Sequence, residues 1–172
     1  MPVSLDNPLH RELYDYWCLK RGSRAMPGRQ DIDPIELKRL LPHLLLTDVI
    51  DGGKRFRFRL VGTAIQEAFG RNMTGFHIDE VMTSPYLEFI SALYRDIVEK
   101  QKPIYSESTY YSQHTVGMRA ERLMLPLASD GATVDMVVSI QTIGFRSAAR
   151  TISIRLAQEQ NEEIEHLSRL LE

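Results

Sequence analysis

The sequence predicts an α+β fold in which antiparallel strands are segregated from the helices, and three observations predict it. Arg55 to Leu60 alternates arginines with Phe56, Phe58 and Leu60, the period of two that marks a half-buried strand. A mostly apolar run from His43 to Ile50 precedes it across Asp51-Gly52-Gly53-Lys54, residues that suit the positive backbone angles of a tight hairpin. Three more strand-like segments follow only after a long helical stretch, an order unlike the strand and helix alternation of a parallel sheet.

Each element has its own signal. Asn7-Pro8 is a cap followed by proline at the first helical position, and Leu9, Leu13, Tyr16 and Trp17 follow at helical spacing until Arg21-Gly22. A polar link through Pro27, Gly28 and Arg29 reaches Asp33-Pro34-Ile35-Glu36, read as a capping box that opens a short helix ending near Leu41-Pro42. Beyond the hairpin, Thr63-Ala64-Ile65-Gln66 is a second capping box, for a brief helix stopped by Gly70. After Thr74-Gly75 a short helical stretch covers Ile78 to Val81. Ser84-Pro85 then starts a longer amphipathic helix, with Tyr86, Phe89, Ile90, Leu93 and Ile97 inward and Pro103 as its bound.

The remaining strands are predicted at Ile104 to Tyr111, Arg119 to Ala128 and Val134 to Ile143, the last two joined by Asp130-Gly131. From Thr151 onward there is no proline or glycine, and Ile164, Leu167 and Leu171 recur at spacings of three and four. This predicts a terminal helix with a narrow seam for a homodimer. The layout is therefore an N-terminal helical cap over 1–42, a core over 43–146 and a C-terminal helix over 147–172.

Composition narrows the function. With 172 residues, 43% hydrophobic and 26% charged, the chain suits one packed domain. A net charge of −2 argues against the broad basic surface of a non-specific nucleic-acid binder. No apolar run approaches the roughly 20 residues of a membrane span, and the first residues lack the order of a signal peptide. The single cysteine, Cys18, excludes an intramolecular disulfide or a thiolate metal cluster and fits a reducing cytoplasm. We expect a cytoplasmic protein with no nucleic-acid or membrane partner.

Catalytic motifs are missing. There is no Gly-x-Ser-x-Gly, no glycine-rich phosphate loop and no His-Glu-x-x-His, and Cys18 has no neighbouring base. His10, His43, His77, His114 and His166 are scattered, without a pair spaced to put two imidazoles on one helical face. Asp31 and Asp33 make a poor divalent-ion pair, because Asp33 already has a capping role. Arg55, Arg57 and Arg59 lie about 7 Å apart on one strand face. They could grip an anion, protect an edge strand from further pairing, or pair with acids of the leading helix.

Phe56, Phe58, Phe69, Met73, Phe76, Tyr86, Phe89, Leu93, Leu123 and Leu125 should converge between sheet and helices, as a packed core or as the wall of a pocket. A pocket needs polar anchors among apolar walls. The strand residues Tyr105, Arg119, Glu121, Ser139 and Gln141 can supply them, although the pleat can send Ser139 and Gln141 to the outer face. That face is expected under the first helix and Trp17. The ligand-binding set is accordingly Phe56, Phe58, Phe69, Met73, Phe76, Tyr86, Phe89, Leu93, Tyr105, Arg119, Glu121 and Leu123, with no catalytic and no metal-binding residue.

The order of elements, together with Tyr16-Trp17, Arg21-Gly22, Pro27, Arg29, Asp31, Asp33-Pro34, Leu41-Pro42, Arg59-Leu60-Val61-Gly62-Thr63, Gly70 and Thr74-Gly75, resembles a family of bacterial stand-alone PAS-like proteins. The resemblance covers about Leu9 to Phe145. It implies a five-stranded antiparallel sheet, helices inserted between strands two and three, and a central pocket.

It also implies a non-catalytic sensory or regulatory module that binds a small molecule, a partner protein or both, and signals by changed dimerisation or docking. No cofactor is expected. The main helix from Pro85 to Glu99 has no histidine for haem iron, His77 preceding it, and Met73 stands near the place where flavin photosensors of this superfamily carry a reactive cysteine. Two other classes remain: an interaction adaptor with a filled core, and a small-molecule enzyme if Arg119, Glu121 and a histidine converge with access to water.

Overall fold

The structure is a computed structural model and describes residues 5–112, 115–145 and 163–170. Helix α1 runs Pro8–Arg21, capped by the Asn7 side chain, which accepts from the Leu9 amide at 3.0 Å. Strands β1, Leu44–Ile50, and β2, Arg55–Val61, form the predicted hairpin. Its turn places Asp51, Gly52 and Gly53 at φ of 49°, 66° and 95°. Helices α2, Thr63–Phe69, α3, Ile78–Val81, and α4, Tyr86–Lys100, come next. Strands β3, Ile104–Ser112, β4, Thr115–Leu127, and β5, Met136–Phe145, complete the expected five.

A sixth strand, β6, spans Glu163–Leu170, and all neighbours are antiparallel in the order β2-β1-β5-β4-β3-β6. This corrects the terminal-helix expectation at these positions. Residues 151–162 and Leu171 lie outside the described residues. From Ile104 to Tyr111, β3 pairs with the terminal segment, Ile104 opposite Leu170 and Tyr111 opposite Glu163. Pairing with an open sheet edge satisfies a row of backbone groups, and that gain overrides local helix propensity. Ile164 and Leu167, expected on a helical dimer seam, thus belong to a strand.

The register sorts the side chains into two faces. On the inner face Leu45 stands opposite Ser139, Ser139 opposite Met124, and Gln141 opposite Arg122. On the outer face Leu44 faces Ile140, Ile140 faces Leu123, and Val138 faces Leu125. Helix α1 covers the outer face, burying His10, Leu13 and Trp17, and the Trp17 indole donates to the Pro126 carbonyl at 2.9 Å. The inner face is closed by α2 and α4. Helix α4 buries Tyr86, Ile90, Leu93, Tyr94 and Ile97; such side chains contribute roughly 1.5–3 kcal/mol each on leaving water.

Local chemistry departs from the sequence reading in two places. Residues 34–40 form turns rather than a short helix. Asp33 accepts from the Ile35 amide, while the Glu36 carboxylate takes the Tyr16 hydroxyl at 2.8 Å and the Lys20 ammonium at 2.7 Å instead of closing a box. At α2 the cap is Gly62, and the Gln66 amide donates to the Val61 carbonyl at 2.7 Å. A Cβ on Gly62 would stand 2.2 Å from the Pro42 carbonyl oxygen, so this position requires glycine by contact rather than by backbone angle.

Candidate functional site

The interior site lies between the inner sheet face and helices α2 and α4. Its apolar wall is Leu45, Phe58, Ile65, Phe69, Met73, Met82, Ile90 and Met124, and its polar end is Tyr86, Tyr94, Arg122, Ser139 and Gln141. The open space is about 20 Å³, room for about one water. Drug-sized ligand pockets run to several hundred Å³ by looser measures, so a larger occupant has to displace side chains.

Arg122 dominates the electrostatics. It is 2% exposed. Its guanidinium donates to the Ser108 hydroxyl and the Tyr86 hydroxyl, each at 2.7 Å, and lies 5.7 Å from the ring centres of both Tyr86 and Phe89. Among the described residues no carboxylate forms an ion pair with it. Its Nε–H and the side-chain nitrogen of Gln141 are buried without a hydrogen-bond partner. The second polar cluster is closed: Tyr94 shares a 2.9 Å bond with Thr47, and burial raises its phenol above the ordinary value.

Of the sequence-predicted ligand residues, Phe58, Phe69, Met73 and Tyr86 line this cavity. Phe56 and Leu93 are buried in the surrounding core, Phe56 with its ring 5.1 Å from Tyr94. Phe89 packs on the guanidinium of Arg122. Phe76 is 45% exposed beneath Arg71, and it is its carbonyl that meets the sheet, accepting from the Phe58 amide.

Tyr105, Arg119, Glu121 and Leu123 lie on the opposite face. There the Tyr105 hydroxyl donates to Glu107 at 2.7 Å, and Arg119 pairs with Glu121 at 3.0 Å and Glu107 at 3.4 Å. Burial and the bond to Glu107 push the Tyr105 phenol well above its usual value. His10 reaches the edge of the Tyr105 ring but is fully buried, and burial with the nearby His43 lowers it to about 4. It is a neutral packed group, not a base in contact with water.

Ser139 and Gln141, named from the sequence as possible anchors with their face left open, line the cavity, whereas Arg122 was not named. The available signal was parity: if Leu123, Leu125 and Leu127 share the face under Trp17, then Arg122 and Met124 must point the other way. An arginine inside Arg122-Leu123-Met124-Leu125 is the anomaly in an otherwise apolar run.

The other candidates resolve as structure. Arg57 and Arg59 both reach the Asp48 carboxylate of β1 at 2.8 Å, and Arg55 pairs with Asp79 and Glu80 at 2.9 and 3.2 Å, so the stripe is partnered from β1 and α3 rather than from α1. The β2 edge is additionally covered by the chain at Gly75 and Phe76, which hydrogen-bonds to Phe58. Asp31 accepts from the Gly28 amide and pairs with Arg24. His77 starts α3, its amide bonded to Glu80. No cluster of three metal-ligating residues occurs among the described residues. None of their helices is long and apolar enough to cross a membrane.

A family model described as a PAS domain matches residues 5–141. No curated protein matches the sequence. Among solved structures, the PAS domain from Bordetella pertussis BvgS is similar at 15% identity and a TM-score of 0.50, covering 75% of this chain and 99% of that one. The Rhodobacter sphaeroides LOV protein is 12% identical at a TM-score of 0.47, over 75% of this chain and 74% of its own. A LOV domain from the Erythrobacter litoralis EL346 blue-light activated histidine kinase is 18% identical at 0.41, over 60% and 96%.

Proposed function

The chain belongs to the PAS domain family, and from that membership we propose that it is a non-catalytic cytoplasmic sensory module whose interior cavity takes a small molecule. The observation that carries this reading is the cavity's construction, with unpartnered polar groups of Arg122 and Gln141 at one end of an apolar chamber. Occupancy favours one arrangement of α2 and α4 over the sheet, and a surface for a second copy or a regulatory protein changes with it. The lining contains neither a cysteine for a flavin adduct nor a histidine for haem iron.

Native mass spectrometry before and after denaturation tests this. A stoichiometric small mass released on unfolding is expected. A protein that carries nothing as purified and takes up nothing from a cell-extract metabolite pool contradicts it. That result favours an interaction adaptor with a filled core, for which the small free volume of the cavity is the supporting observation.

A further inference from the structure

We propose that the cavity is built for a small monocarboxylate with an apolar body, its carboxylate seated on Arg122 and Gln141; this rests on the small-molecule reading above and names the ligand class. The argument begins with charge. A guanidinium stays protonated in proteins, and burying it is unfavourable unless an anion and hydrogen bonds compensate. At 2% exposure Arg122 has the hydroxyls of Ser108 and Tyr86, which accept hydrogen bonds but bring no charge.

A second observation is independent of the first. Arg122 and Gln141 are register partners on β4 and β5, both line the cavity, and each holds a buried N–H group without an acceptor. Unmet donors side by side at the same end of one chamber call for an acceptor, and a carboxylate supplies both the acceptor oxygens and the missing charge. A phosphate dianion would overcompensate the single cation and leave net negative charge among apolar walls. A neutral amide would leave the guanidinium without a counter-ion.

The rest of the chamber fits an apolar body. Phe58, Ile65, Phe69 and Ile90 contribute apolar wall, with Phe69 6.4 Å ring to ring from Tyr86. Met73, Met82 and Met124 are unbranched and polarisable, so they re-pack around an occupant at low cost. With room for only about one water as it stands, the chamber has to open by side-chain movement even for a short chain or a single ring, which limits the occupant to a small one.

Calorimetric titration of the full chain with hexanoate, hexanamide and inorganic phosphate tests the assignment. Hexanoate should bind at least about tenfold more tightly than hexanamide, the difference between a charge-assisted and a neutral contact. Arg122→Gln should abolish that preference. Gln141→Leu, which keeps the cation, should weaken hexanoate binding while circular dichroism and thermal melting show both variants folded. Equal binding of acid and amide, or unchanged hexanoate binding by folded Arg122→Gln, overturns the carboxylate assignment and leaves the sensory reading standing. Tighter binding of phosphate overturns it in favour of another anion. Failure of all three probes overturns it as well, and the mass released on denaturation then decides the broader reading separately.

Discussion

His10 couples the outer layer to pH. It is fully buried between α1 and the sheet, with Nε2 3.4 Å from the Thr142 hydroxyl and no partner for Nδ1. Burial first, and the nearby His43 second, lower it from 6.5 to about 4. Because the folded value lies below the unfolded one, the stabilisation from holding it neutral is complete above pH 6.5 and is lost as the pH falls towards 4, up to about 3 kcal/mol in all. Urea unfolding of His10→Phe should show a flattened slope over that interval; an unchanged slope would remove His10 as its source.

Gly62 is a steric requirement of the same scale. Gly62→Ala forces the new methyl into the Leu41 and Pro42 carbonyls and should destabilise by about 1–3 kcal/mol in chemical denaturation, whereas Gly22→Ala meets no atom and carries only the strain of its positive φ. Arg122 marks where residue-level reading stopped. An arginine was expected at the polar end of the pocket, but Arg119, three positions away, occupies the opposite face. Alternation separates Arg119 and Leu123 from Arg122 and Met124, but which of the two sets turns towards the cavity depends on the assembled sheet.

At the scale of elements, the β1–β2 hairpin is fastened by Asp48. Burial pushes its carboxyl up, and the hydrogen bonds from Arg59 and Arg57 outweigh this, leaving it below the usual carboxylate value. Its contribution is therefore present above the ordinary carboxylate range and is lost as the pH falls through the folded value. Both arginines are about half exposed and solvent-screened, so Asp48→Asn should cost only about 1 kcal/mol at neutral pH. Its melting curve should also converge with the wild-type curve in acid, and a constant gap at all pH values would contradict the ion-pair account. The hairpin, α1, α4 and the three later strands were legible because period two, period 3.6 and turn residues agree along each of them. The terminal segment was not, because its apolar spacing suits a helix while pairing with the open edge of β3 depends on the whole sheet.

Across the whole molecule, one sheet separates two layers with different roles. The outer layer buries Trp17 and Leu13 under α1. The inner layer contains the cavity, a buried cation and three methionines, and it is where an occupant would shift the population of states. The fold was readable because the order of elements and their motif run agree; of the site, the apolar cluster and the candidate anchors Ser139 and Gln141 were readable, while Arg122 and the face these groups share depend on cross-strand neighbours.

The most direct test places the occupant. Methyl-labelled methionine spectra would be recorded on refolded protein before and after the molecule released on denaturation is added back. An occupied inner cavity predicts shifts at Met73, Met82 and Met124, with Met26 and Met136, which do not line it, little changed. Shifts at Met26 and Met136 with the three cavity methyls unmoved would contradict an interior sensing site.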